Sequence, residues 1–130
     1  MNILVIDGQG GSLGKLLTQE IKKTRPDCRV TAVGTNSIAT AAMLKAGADA
    51  GATGENPVIV CCAECDVIMG PLGLLSANAM LGEITPAMAR AVGESKARKI
   101  LVPVSKCSVT VAGVRQLSYA EYVAEAISEI

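Results

Sequence analysis

The opening residues Asn2-Ile3-Leu4-Val5-Ile6-Asp7 place four apolar side chains in a row, and the chain then runs directly into Gly8-Gln9-Gly10-Gly11-Ser12-Leu13-Gly14. An apolar run without polar alternation suits a strand covered on both faces, the habit of parallel sheets. Beyond the glycines, Leu13, Leu16, Leu17 and Ile21 recur at helical spacing. Lys15, Thr18, Gln19, Lys22 and Lys23 fall between them, until Arg25-Pro26-Asp27 stops the pattern. A buried strand that leaves through a glycine turn into a helix cannot belong to a hairpin-built β protein. Its next strand must return parallel, across the sheet.

The same unit recurs. Residues 29–33 read as a second strand, Gly34-Thr35-Asn36 as its exit loop, and Ser37 as the N-cap of an alanine-rich helix ending near Ala46-Gly47. Residues 48–52 make a short third strand, and Pro57 in a first turn predicts a helix over 56–65, although Val58-Ile59-Val60 would equally suit a strand. Residues 66–69 are a strand with a sharp exit at Gly70-Pro71-Leu72-Gly73. The apolar stretch 74–81 predicts a helix covered by its own domain or by another subunit. Thr85-Pro86 starts a further helix running to about Glu94, followed by a strand over 99–104 and a small one over 108–111. Ser118 and Glu121 form a capping box, and Tyr119, Tyr122, Val123, Ala126, Ile127 and Ile130 trace one face of a closing helix. These elements predict one domain over residues 1–130, an α/β fold with a doubly wound, mostly parallel sheet. Its loops of functional interest emerge at the carboxyl ends of the strands.

Gly8, Gly11 and Gly14 spell G-x-x-G-x-x-G, and the turn resembles the first loop of dihydrodipicolinate reductase-like and other NAD(P)-binding Rossmann domains. The physical reason is that missing side chains let a phosphate approach backbone N–H groups at a helix N-terminus, while the last glycine lets helix and sheet pack closely. The resemblance implies NAD or NADP, with phosphate on the amides of Gly10, Gly11, Ser12 and Gly14, and with Gln9 at the turn. Asp7 is expected to hydrogen-bond the glycine loop. It is not a P-loop, because Gln9 stands where Walker A needs glycine and Leu16 where it needs Ser or Thr. Many NAD binders carry an acid after the second strand for the adenosine ribose. Thr35 and Asn36 stand there instead, and place a neutral hydroxyl and amide at the adenosine end. Gly70, Pro71, Lys106 and Cys107 are expected at the reactive or sensing end.

Composition narrows the chemistry. The chain has no histidine, which excludes imidazole bases, Ser-His triads and HExxH zinc sites. Its 12 basic and 12 acidic residues cancel, and Tyr119 and Tyr122 are the only aromatics, so neither phosphate neutralisation nor base stacking supports nucleic-acid binding. No apolar stretch reaches the ~18–20 residues of a membrane span, and the expected location is cytoplasmic. Five cysteines, three of them at Cys61, Cys62 and Cys65, suit reduced thiols better than disulfides. The C-x-x-C of Cys62 and Cys65, with Cys61 beside it, leaves a thiolate metal site as an alternative, although the second ligand pair of a zinc site is missing. A further alternative is a small enzyme acting on a carbonyl or phosphorylated metabolite. There Glu83 would be the base, unless it merely charges the first turn of the Thr85 helix, and Lys106 would activate the Cys107 thiol. An interaction scaffold is the third alternative.

Val5 to Gly11, Gly34-Thr35-Asn36, Ala52 to Asn56, Gly70 to Gly73, Met80 to Ala89 and Pro103 to Cys107 together resemble a small bacterial family catalogued as domain of unknown function 3842. That resemblance implies a Rossmann-like fold and no established activity. A complete dehydrogenase adds a substrate domain for which this length leaves no room. The favoured reading is a binding or regulatory module for a nucleotide or small phosphorylated ligand, completed by a second copy in a homodimer through residues 74–81.

Overall fold

The computed structural model describes residues 1–104 and 108–130. Lys106 and Cys107, two of the residues singled out from sequence, lie outside the described residues. Parallel pairing follows from the apolar run of β1 (Asn2–Asp7), which is buried from Ile3 onward and flanked on both sides. β1 pairs with β2 (Arg29–Gly34) on one side and β4 (Val67–Pro71) on the other, β2 with β3 (Ala50–Thr53), and β4 with β5 (Arg98–Val102). All four pairings are parallel, and the strand order is β3-β2-β1-β4-β5.

Among the described residues five α-helices connect or follow these strands: α1 (Ser12–Thr24), α2 (Ser37–Lys45), α3 (Glu55–Cys62), α4 (Pro86–Glu94) and α5 (Tyr119–Ile127). The side chains of β1 alternate between two cores. Ile3 and Val5 join Leu13, Leu17 and Ile21 of α1, Met43 of α2 and Val123 of α5. Leu4 and Ile6 face Val58 of α3 and Met88 and Val92 of α4. The sheet is thus covered on both faces, and β1 and β4 are the neighbouring strands at which the direction of winding reverses. In open α/β sheets that switch point is where ligands bind.

Four expectations need correction. The 74–81 stretch is not a helix: a 3₁₀ turn over Leu72–Leu75 is followed by irregular turns, with Asn78, Met80 and Leu81 at φ 66°, 59° and 58°. Left-handed backbone at Asn78, Met80, Leu81 and Gly82 is incompatible with a continuing right-handed helix. Residues 108–111 form no strand. Helix α3 stops at Cys62, which leaves Cys65 beyond its end. The N-cap of α2 is Asn36, whose side chain accepts from Ala39 N, so Ser37 is already helical.

Candidate functional site

The β1–α1 loop is built by Asp7. Its carboxylate accepts from the N–H groups of Gly8 at 2.8 Å and Gly14 at 2.7 Å, tying the exit of β1 to the first turn of α1. This is the role expected from the sequence, and it explains a charged residue that is only 4% exposed. Burial raises the Asp7 pKa above 3.8, against the opposing pull of the Gly14 and Gly8 N–H groups.

The glycines divide the work. Gly11 caps α1 in the left-handed region at φ 74°, and a Cβ there would lie 2.8 Å from the Ala39 Cα. A Cβ on Gly14 would lie 2.6 Å from Met43 Sδ and 2.8 Å from Asp7 Cβ, so Gly14 sets the closeness of helix to sheet. Gly10 is different: no atom stands within 4 Å of a Cβ built on it. Among the described residues the N–H groups of Gly10 and Ser12 have no hydrogen-bond partner. They border a cavity of about 60 Å³ lined by residues 7–13, Met80, Val104 and Tyr119.

Glu83 is the residue sequence reasoning misplaced. It does not charge the first turn of α4. Its Oε1 accepts from Thr35 Oγ1 at 2.6 Å, Asn36 Nδ2 at 2.8 Å and Gln9 N at 2.9 Å. Partial burial opposes ionisation, but the Thr35 hydroxyl, the Gln9 N–H and the Asn36 amide outweigh it and hold Glu83 below its ordinary 4.5. Asn36 also donates to Gln9 O and caps α2, so one side chain links the glycine loop, α2 and Glu83. Thr35 and Asn36 are therefore brought to the glycine loop, both directly and through Glu83, but outside the small cavity.

Gly70 and Pro71 are buried at the carboxyl end of β4. They do not line the cavity. A Cβ on Gly70 would meet Ile6 O at 2.4 Å, which accounts for glycine there without any ligand. Cys61, Cys62 and Cys65 lie at the opposite end of the strands, beside the start of β4. Burial, with Cys65 and Cys61 nearby, pushes the Cys62 thiol up to about 12, and burial raises Cys61 and Cys65 as well. Among the described residues no three Cys, Asp or Glu side chains converge as a metal site would require. A groove of about 830 Å³ between α3 and α4 borders Cys62 and Cys65, far from the glycine loop. No helix of the described residues is long and apolar enough to cross a membrane.

A structure search finds a dodecameric FMN-dependent UbiX-like decarboxylase from Escherichia coli O157:H7 similar in fold. The TM-score is 0.51 at 16% identity, over 99% of this chain and 75% of that one. At that identity the likeness speaks for the fold alone. Among curated proteins none matches the sequence. The family model described as Domain of unknown function (DUF3842) matches residues 2–130, and this chain belongs to that family.

Proposed function

We propose that the chain binds a phosphorylated, nucleotide-type ligand over the Gly8–Gly14 loop and acts as a binding or regulatory module. The observation that carries this reading is the pair of N–H groups, on Gly10 and Ser12, that have no partner among the described residues, at the start of α1 beside a small cavity at the sheet's switch point. A cavity of about 60 Å³ suits a phosphate group. Whole small-molecule sites run to about 300–1,000 Å³, so the nucleoside part lies outside, across the rim of Met80 and Tyr119. The FMN dependence stated for the structural neighbour is in keeping with a nucleotide-type ligand. A catalytic Glu83 is not favoured: a carboxylate held below its ordinary pKa by three donors is a weak base. Self-association at the same end of the molecule belongs to this reading, because Leu75 is 43% and Leu81 98% exposed there.

The test is a thermal-shift series with FMN, ADP, NAD, NADP and inorganic phosphate, since ligand at about 100 times its Kd adds about 2.7 kcal/mol. Gly10→Val is the informative variant, because its side chain enters open space at the cavity mouth. Gly11 is unsuitable, since any side chain there collides with the α2 backbone. The nucleotide-induced shift is expected in the wild type and lost in Gly10→Val. No shift with any nucleotide, or a shift indifferent to Gly10→Val, overturns the reading.

A further inference from the structure

Three donors from two separate loops converge on one oxygen of Glu83: the Gln9 N–H, the Thr35 hydroxyl and the Asn36 amide, all within 2.9 Å. Such convergence is how proteins hold anionic oxygens, because each donor adds to the field at the same point. The carboxylate arrives on residues 76–83, a strap whose conformation is costly. Asn78, Met80 and Leu81 all adopt positive φ, a region that disfavours the methionine and leucine side chains and that asparagine tolerates better. The strap nevertheless closes over the glycine loop. A Cβ on Gly8 would lie 2.7 Å from the Met80 Cε and 3.1 Å from the Glu83 Oε1.

Charge points the same way. Glu83 and the buried Asp7 face one loop, and no Lys or Arg lines the cavity among the described residues. An incoming phosphate is repelled by both carboxylates while Glu83 stays in place. Exchanging Glu83 for the phosphate removes one repulsion and leaves the three donors satisfied.

We infer that the Gln9 N–H, Thr35 hydroxyl and Asn36 amide form an oxyanion subsite, occupied in this structure by the chain's own Glu83, that takes a phosphate group of the ligand in exchange for that carboxylate. The strap is thus a displaceable cover, and ligand binding lifts Glu83 from the loop. The phosphorylated nature of the ligand rests on the nucleotide reading above; the donor set does not.

Inorganic phosphate is the probe, followed through the Gln9 amide resonance in the wild type, Glu83→Ala, Glu83→Gln and Glu83→Ala/Thr35→Val. Glu83→Ala is expected to bind phosphate at least about tenfold more tightly than the wild type, moving the Gln9 amide, and adding Thr35→Val is expected to reverse most of that gain. Glu83→Gln keeps the side-chain length and gives the same direction if Glu83→Ala fails to fold, because a neutral amide oxygen holds the donors less firmly. Phosphate affinity equal to or below that of the wild type in the folded Glu83 variants overturns the inference. So does a gain that ignores Thr35→Val. Nucleotide binding sensitive to Gly10→Val together with no gain in the Glu83 variants leaves the nucleotide reading standing and removes this one; the reverse pattern does the opposite.

Discussion

Two carboxylates meet at the glycine loop and their environments push them in opposite directions. Asp7 was legible in the sequence, because an acid at the end of a buried strand, next to glycines, has backbone N–H groups within reach of its short side chain. Glu83 was not, because its partners Gln9, Thr35 and Asn36 are 74, 48 and 47 residues away and no local pattern marks that contact. Their signs give a pH test. The folded-state pKa of Glu83 lies below 4.5, so its ionised form stabilises the fold above that pH, and this contribution is lost as pH falls through the depressed value. The folded-state pKa of Asp7 lies above 3.8, so its ionised form opposes folding at neutral pH and is relieved by protonation on acidification. Glu83→Gln weakens three charge-assisted hydrogen bonds and is expected to cost on the order of 1 kcal/mol at neutral pH. In urea titrations between about pH 7 and pH 3 the gap from the wild type should close below the ordinary carboxylate range. A gap that stays constant with pH would mean that the carboxylate charge is not what the three donors hold.

Helices announced by caps and spacing came out near their expected places: α4 behind Thr85-Pro86, and α5 with both hydrogen bonds of the Ser118–Glu121 capping box. The stretch 74–81 misled because apolar composition alone carries no phase. Leu74, Ala79 and Met80 are buried while Leu75 and Leu81 are exposed, a pattern set by irregular turns folded back onto α4 and the glycine loop. Leu81 is the sharpest case, 98% exposed and at φ 58°, so it contributes strain and no burial. Asparagine tolerates the left-handed region better than leucine. Leu81→Asn is therefore expected to raise stability by about 0.5–1 kcal/mol in urea denaturation, since no buried contact is lost and strain is relieved. A loss of stability would show that Leu81 is covered in solution, as the contact with a second copy requires, and light scattering on the same sample would show the accompanying change in mass.

At the scale of the whole molecule, strand–helix alternation implied parallel pairing and two covered faces, and the order β3-β2-β1-β4-β5 follows from right-handed crossovers once β1 is central. Alternation says nothing about how far a loop folds over the sheet's carboxyl edge, so the closure of the site to about 60 Å³ was not legible. The thiols offer a measure of whether the second core, between the sheet and helices α3 and α4, is as closed as its packing implies. Cys62 is 3% exposed within that core, and its thiol stands at about 12 against an ordinary 9.0. A raised pKa lowers the thiolate fraction at neutral pH, and only the thiolate attacks an alkylating reagent. Iodoacetamide should therefore reach Cys62 only through opening of α3 and α4, with a rate that climbs steeply across the urea transition, while half-buried Cys61 reacts without it. Modification of Cys62 in native buffer as fast as that of Cys61 would mean that α3 separates from the sheet in the folded protein. The groove it forms with α4 would then widen without global unfolding.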